Sequence, residues 1–114
     1  MKDIKFYDTN SLLLAGESAF KEKFVISSIT LEELEYIKVS SNNNLSQLAI
    51  TLSKLLKENS NKYEIIFHVK EHEERIRQFG FAITNNVKIL SDALYYDAYM
   101  RPDETIFVTN SSEL

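Results

Sequence analysis

Polar side chains follow three of the hydrophobic runs that this sequence predicts to be β-strands, and two more precede its last predicted helix. These side chains fall in four segments, at residues 8–10, 27–33, 85–86 and 109–111. They supply carboxylate, amide and hydroxyl oxygens, which can bind a substrate or a hard cation. The chain has a net charge of −4, so it does not attract a polyanion by its overall charge. Contact with nucleic acid would need a local basic patch or a bound divalent metal.

A second candidate for chemistry is the stretch His68-Val69-Lys70-Glu71-His72, which matches the His-x-x-Glu-His pattern of inverted zinc peptidases. That pattern requires both histidines on one helix, whereas His68 falls at the end of a predicted strand over residues 63–69. We therefore expect a strand end followed by an exposed acidic turn that is favoured by the helix dipole, and not a zinc enzyme. The acids of that turn are Glu71, Glu73 and Glu74.

The elements that must position these groups alternate along the chain. Short runs rich in β-branched and aromatic residues predict buried strands at 4–7, 24–27, 63–69 and 105–109. Periodic patterns predict helices at 30–38, 45–58, 70–78 and 86–99. Thr30 and Glu33 form a capping-box pattern that predicts Thr30 as an N-cap. The alternation predicts a three-layer α/β fold with a central parallel sheet of about four strands flanked by helices, whose functional residues follow the strands.

Composition excludes several classes of protein. With 44% hydrophobic and 26% charged residues, the chain is typical of a globular domain. It contains no cysteine, which excludes disulfide scaffolds, thiolate metal sites and cysteine nucleophiles. Its two glycines cannot build a Walker loop or a dinucleotide fingerprint, so we expect no nucleotide cofactor. No signal peptide or membrane-spanning run is present, so we expect a cytoplasmic protein with no membrane partner.

Three sequence blocks resemble the PIN domain family of metal-dependent nucleases. They are FYDTNSLLLAGE near the start, ISSITLEELEYIK in the second quarter and IFVTN near the end. The resemblance covers essentially the whole chain and is greatest to the PIN-like segment of phage and bacterial PhoH-like proteins, which implies a host-cytoplasm location for a phage-encoded chain. Because the family fold continues with another helix and strand, we expect residues 1–114 to form a single PIN-like domain that lacks them.

The resemblance implies four acids that hold Mg²⁺ or Mn²⁺ and activate water to cleave single-stranded RNA. Matched motif by motif, the first two acids are Asp8 and Glu33. The third and fourth positions are Asn86 and Ser111, so two of the four acids are neutral here. An amide oxygen of Asn86 can assist a hard cation, but it adds no negative charge. We therefore expect weak metal binding and an activity that is weak or lost.

Each of these positions also has a purely structural interpretation. Asp8 could cap the helix that follows it, and Glu33 could be the partner of the Thr30 cap. The run Thr84-Asn85-Asn86 supplies an N-cap for the helix predicted at 86–99, and Asn86 is itself a good N-cap residue. Ser111 could be an ordinary loop residue. Asp92 follows Asn86 by six residues, which turns it about 120° away around a helix, so it is a poor substitute for the missing acid.

Several further residues could contact a substrate or a partner. Lys38, Lys88 and Arg101 flank the acidic end and could contact phosphates, and Asn10 could orient the first loop. Tyr96 is expected in the core, whereas Tyr95 and Tyr99 could stack on bases or mark a protein contact.

Three hypotheses follow for the function. The first is a PIN-type endoribonuclease acting on single-stranded RNA through Asp8, Glu33 and Asn86. The second is a non-catalytic module that binds RNA or a protein partner, which includes a homodimer, since dimers are common in the family. The third is a structural or assembly component, because neutralising a repulsive acid cluster stabilises a fold.

Overall fold

The four predicted strands form one parallel sheet. The structure is a computed structural model that describes residues 3–100 and 105–109. The strands are β1 (Ile4–Tyr7), β2 (Phe24–Ser27), β3 (Tyr63–Ile66) and β4 (Thr105–Val108), and they lie in the order β3-β2-β1-β4. All three pairings are parallel. The prediction of an α/β fold with a four-stranded parallel sheet is confirmed, although β3 ends three residues earlier than the sequence indicated.

Helices connect the strands and cover both faces of the sheet. The α-helices are α1 (Thr9–Ala15), α2 (Ser28–Lys38), α3 (Asn43–Glu58), α4 (Glu74–Arg77) and α5 (Asn85–Tyr95). The helix predicted at 70–78 is divided into a 3₁₀ turn, Lys70–Glu73, and the single turn of α4. The helix predicted at 86–99 ends as α-helix at Tyr95 and continues as a π-type turn, Tyr96–Met100.

The hydrophobic core has two parts, one on each face of the sheet. On one face, helices α1, α2 and α3 pack against alternate residues of β1 and β2. The buried side chains there include Leu12, Leu34, Leu52, Phe24 and Ile26. On the other face, α5 packs against the strands; the buried residues there include Ile4, Phe6, Val25, Ile89 and Tyr96. The expectation that Tyr96 belongs to the core is correct, since 3% of its surface is exposed.

Two helices begin at residues other than those the sequence predicted. The N-cap of α2 is Ser27, whose hydroxyl accepts a hydrogen bond from the Ile29 N–H at 3.0 Å, so Thr30 lies inside the helix. The N-cap of α5 is Thr84, whose hydroxyl accepts from the Val87 N–H, so Asn86 lies in the first turn. The capping-box interpretation is therefore wrong, whereas the predicted cap run Thr84-Asn85-Asn86 does contain the α5 cap, at Thr84 and not at Asn86. In both cases a serine or threonine upstream ends an extended segment and caps the helix earlier.

Within residues 3–100 and 105–109, no helix is both long enough and apolar enough to cross a lipid bilayer.

Candidate functional site

The carboxyl ends of all four strands bring their following residues to one edge of the sheet. The pairing of Phe6 with Val25 sets Asp8, two residues further on, level with Ser27. Ser27 is in turn paired with Ile66 of β3, and Tyr7 is paired with Val108 of β4. Adjacent strands are about 4.8 Å apart. The residues that follow β1, β2, β3 and β4 therefore form one continuous polar edge.

The first group of polar residues at this edge is called the Asp8 cluster, and it comprises Asp8, Thr9, Thr30, Glu33 and Thr109. Asp8 is 1% exposed and caps α1, since its Oδ1 accepts from the Ser11 N–H at 2.8 Å. The Thr109 hydroxyl donates to Asp8 Oδ2 at 2.5 Å. Asp8 is therefore both the predicted cap and a rigidly oriented buried carboxylate.

Glu33 joins the Asp8 cluster through a hydroxyl group. The Thr9 hydroxyl donates to Glu33 Oε1 at 2.5 Å and lies 3.0 Å from the hydroxyl of Thr30. Because the single proton of Thr9 goes to the carboxylate, Thr30 acts as the donor to Thr9. Thr9 and Thr30 are both buried, whereas Glu33 is half-buried. The two predicted acids thus lie on neighbouring elements that are connected through Thr9.

Asn86 lies on the side of the sheet to which Asp8 points. Ile4 and Phe6 belong to the core under α5, and side chains alternate along a strand, so Asp8 is directed to the same face. Phe107 packs on that core as well, which agrees with the bond from Thr109 to Asp8. The first turn of α5 carries Asn86 in a half-buried position.

Two of the four predicted substrate-binding residues lie on helices near this edge. Asn10 is exposed in the first turn of α1, and Lys88 is half-buried in α5. Lys38 ends α2 and pairs with Glu35 at 2.6 Å, about 7.5 Å along the helix axis from Glu33. Lys38 therefore lies towards the far end of the helix. Arg101 and Ser111 lie outside the described residues.

A second group of polar residues, which sequence reasoning missed, is called the Asp92 cluster; it comprises Ser27, His68, His72, Glu73 and Asp92. The Asp92 carboxylate is fully buried. Its Oδ2 accepts from the Ser27 hydroxyl at 2.6 Å, and its Oδ1 lies 2.7 Å from His68 Nδ1 and 2.8 Å from His72 Nδ1. These contacts join α5 to the ends of β2 and β3 and to the turn that follows β3.

Glu73 is a buried member of the Asp92 cluster, and the prediction that it is exposed is wrong. It is 4% exposed, and its Oε2 lies 2.6 Å from His68 Nε2. Arg77 binds the other oxygen at 2.6 Å. The hydrogen bond from His68, together with the charge of Arg77, holds the pKa of Glu73 below its usual range despite the opposing effect of burial. The exposed-turn interpretation fails because the turn folds back onto α5.

The five-residue motif that begins at His68 does bring its two histidines together, although not on one helix. His68 follows β3, and His72 lies in the 3₁₀ turn Lys70–Glu73. Asp92 is recognisable in the sequence as a charged residue between the core residues Ile89 and Ala93. Its position on the buried face of α5 was the available signal, since a buried charge is paired or binds a metal.

Ser27→Ala removes two interactions at once, the α2 cap and the bond to Asp92. We expect the free energy of unfolding to fall by about 2–4 kcal/mol, because an N-cap contributes roughly 1 kcal/mol and a buried hydrogen bond to a charged group about 1.5–3 kcal/mol. Urea denaturation measures this change. Ser18→Ala, which removes an exposed hydroxyl bonded to the Ala15 carbonyl, is the matched control and should change stability by less than about 0.5 kcal/mol. Equal effects of the two changes would contradict the assigned role of Ser27.

The two clusters offer different environments to a cation. Within residues 3–100 and 105–109, three His, Asp or Glu ligand atoms converge only at His68, His72 and Asp92, where they lie within 4.8 Å of one another. The Asp8 cluster provides two carboxylates and several hydroxyl groups, which are oxygen donors of the kind that Mg²⁺ and Mn²⁺ prefer. Its residues therefore fit one hard cation, but two such ions would lack sufficient negative charge.

Comparison with known proteins gives two matches. A family model described as a PIN domain matches residues 6–114. Among solved structures, the chain is similar to the crystal structure of VapBC2 from Rickettsia felis. That structure is described as VapBC2 bound to a DNA fragment from the VapBC2 promoter. That similarity has a TM-score of 0.58 and 23% identity, and it covers 96% of this chain and 89% of the other. A search of curated proteins gives no match.

Proposed function

Because the chain belongs to the PIN domain family, we propose that the Asp8 cluster is a degenerate form of the family's metal-dependent ribonuclease site. In this proposal Asp8 and Glu33 hold one Mg²⁺ or Mn²⁺ ion, with the amide of Asn86 assisting. The site acts on single-stranded RNA slowly or binds it without cleavage. The FYDTNSLLLAGE and ISSITLEELEYIK blocks support a relationship to the PIN-like segment of PhoH-like proteins.

The observation that carries this proposal is the fixed, buried carboxylate of Asp8. A carboxylate that is 1% exposed loses most of its hydration, and hydrogen bonds from Ser11 and Thr109 replace part of it. An ordinary N-cap lies on the surface and needs one bond to the helix. The additional bond from Thr109, which joins β4 to β1, orients the carboxylate toward the face that carries Asn86.

The charge of the Asp8 cluster explains why the proposed activity is weak. Asp8 and Glu33 supply two negative charges, which balance a single divalent ion. Mg²⁺ is commonly held by one or two carboxylates together with water and substrate phosphates. When bound, the ion would supply charge stabilisation for a phosphodiester and a more acidic water. A second ion would need the acids that Asn86 and Ser111 replace.

The protein residues then have distinct roles around that ion. Thr9 donates to Glu33 Oε1 and leaves the other carboxylate oxygen for the cation. Ser11 and Thr109 hold the Asp8 carboxylate in one orientation. Asn10 is exposed beside them and could donate a hydrogen bond to the RNA, and Lys88 could supply a positive charge to a phosphate.

Asp8→Asn is expected to remove the residual cleavage of labelled single-stranded RNA in Mn²⁺, lowering the rate at least tenfold, about 1.4 kcal/mol of activation free energy. The asparagine oxygen can still accept from Ser11, so the fold is retained. The assay compares initial rates at saturating Mn²⁺. Asp3→Asn, the same change at an exposed acid, should have the natural rate. Equal cleavage by the natural chain and Asp8→Asn would place the activity elsewhere or in a contaminant.

A protein partner is the second candidate function, and an exposed apolar groove favours it. The groove lies between α1 and α3, has a volume of about 590 Å³ and is lined by Leu13, Leu48, Leu52 and Leu55. Leu14, which follows Leu13 in α1, is 70% exposed. VapBC2, whose solved structure is similar to this chain, is bound there to a DNA fragment, which agrees with a macromolecular partner for this fold. The protein-partner candidate becomes the leading one if neither the natural chain nor an acid-restored variant cleaves RNA.

A further inference from the structure

We infer that His68, His72 and Asp92 form a binding site for a single borderline transition-metal ion such as Zn²⁺, separate from the Asp8 cluster. The set consists of two imidazole nitrogens and one carboxylate, which favours Zn²⁺ and related ions over Mg²⁺ or Ca²⁺. The inference does not depend on the proposed nuclease function, because no residue is shared between the two sites.

The geometry of the three ligand atoms is the first support. Nδ1 of His68 and Nδ1 of His72 both point at the same oxygen of Asp92, at 2.7 and 2.8 Å. Ligand atoms of a tetrahedral zinc ion with bonds of about 2.0–2.1 Å lie about 3.3 Å apart. An opening of about half an ångström at each contact therefore makes room for the ion. The ion would occupy the space between the two Nδ1 atoms and Asp92 Oδ1.

The partners of the ligands are the second support. Ligating histidines usually donate their other ring nitrogen to a carboxylate, which fixes the tautomer that leaves the ligating nitrogen free. Here Nε2 of His68 lies 2.6 Å from Glu73, which is in turn held by Arg77. The second oxygen of Asp92 is held by Ser27 at 2.6 Å. Two of the three ligands are thus oriented by buried partners.

His72 is fixed by aromatic packing and lies beside an opening to solvent. Its ring stacks on Tyr95 with 4.0 Å between ring centroids, and it meets the His68 ring edge-on at 6.1 Å. A cleft of about 110 Å³ is lined by His72, Tyr95, Ser91 and Glu71, among others. This cleft provides an access route for the ion, and a fourth ligand such as water could approach from it. The site is therefore buried on the sheet side and open on the α5 side.

The charge of the surroundings also suits a divalent cation. Asp92 and Glu73 are both buried acids, and Arg77 compensates one of them. With neutral imidazoles, this leaves one net negative charge for the ion to balance. A metal bound there would cross-link α5 to the segment after β3, which is a structural consequence beyond any chemistry at the Asp8 cluster.

The test is a titration of the full chain with Co²⁺, followed by visible d–d absorption, and with Zn²⁺, followed by calorimetry. We expect one ion per chain and a Co²⁺ spectrum typical of low coordination number. His72→Phe keeps the ring that stacks on Tyr95 but removes a ligand, so it should weaken binding at least 100-fold and abolish the Co²⁺ band. Glu73→Gln should weaken binding about 10–100-fold, because it alters only the partner of His68.

Two further variants complete the design. Glu74→Gln, the same change at an exposed neighbour, and Asp8→Asn, which alters the other cluster, should both bind Zn²⁺ as the natural chain does. Absence of a Co²⁺ band in the natural chain, or unchanged Zn²⁺ affinity in folded His72→Phe, would overturn the inference and leave a hydrogen-bonded histidine cluster. Loss of binding in Asp8→Asn with retention in His72→Phe would also overturn it, since the ion would then belong to the Asp8 cluster.

Discussion

The double variant Asn86→Asp/Ser111→Asp is expected to cleave single-stranded RNA on the order of 100-fold faster than the natural chain in Mn²⁺. The physical reason is charge, because the two added carboxylates would restore the four acidic positions that the family resemblance implies. Four negative charges balance two divalent ions, which can stabilise both the attacking and the leaving oxygen. The measurement is the initial rate of cleavage of a labelled RNA.

The matched control for this gain is Asn85→Asp/Ser112→Asp, which adds the same two charges one residue away from each position. Asn85 is exposed in the first turn of α5, so its change alters the net charge without the proposed ligands. The control should cleave at the natural rate. If both double variants gain equally, the effect comes from the general charge of the edge. If neither gains, the proposal of a degenerate nuclease site is wrong.

The second large effect is expected from Asp92→Ala, which should lower the free energy of unfolding by about 3–5 kcal/mol in buffer containing a chelator. The change leaves the Ser27 hydroxyl and the Nδ1 groups of His68 and His72 without their buried acceptor. Removing one partner of a buried charged network has an effect of this size. For a domain of this length, the melting temperature should fall by roughly 10–20 °C. Calorimetry or thermal denaturation followed by circular dichroism measures it.

The control for Asp92→Ala is Asp97→Ala, at an acid in the turn that continues α5. Asp97 is exposed and accepts one long hydrogen bond from the Thr105 N–H at 3.3 Å. Its loss should change stability by less than about 1 kcal/mol. A small effect of Asp92→Ala, similar to that of Asp97→Ala, would show that the Asp92 cluster contributes little to folding.

The strand β2 could be predicted most directly from the sequence, because both of its faces are covered. Phe24, Val25 and Ile26 are all buried, so no polar residue interrupts the run, and that continuity is typical of a parallel sheet. The helix starts were harder to predict, since several cap residues precede each helix. Ser27 caps α2 three residues before Thr30, which is instead buried against Thr9. The local sequence pattern allowed either residue as the cap, and the contact between Thr30 and Thr9 depends on the tertiary structure.

The Asp8 cluster was predicted from strand ends and family motifs, whereas the Asp92 cluster was not. Asp8 follows a strand directly, so topology alone takes it to the functional edge. His68 and Asp92 are 24 residues apart and meet only because the turn after β3 folds onto α5. Glu73 has the local appearance of an exposed acid at a helix start. Its burial depends on His68 and Arg77, and local patterns do not contain that information.

The most direct test of the proposed divalent-cation site is a Mg²⁺ titration of the ¹⁵N-labelled chain followed by amide chemical shifts. Mg²⁺ prefers oxygen ligands, so it separates the Asp8 cluster from the histidine-containing one. We expect saturable shifts of the Thr9, Ser11 and Glu33 amides, with a Kd on the order of 1 mM, that disappear in Asp8→Asn. Micromolar affinity that survives Asp8→Asn, or no shift at these three amides, would contradict the proposed site.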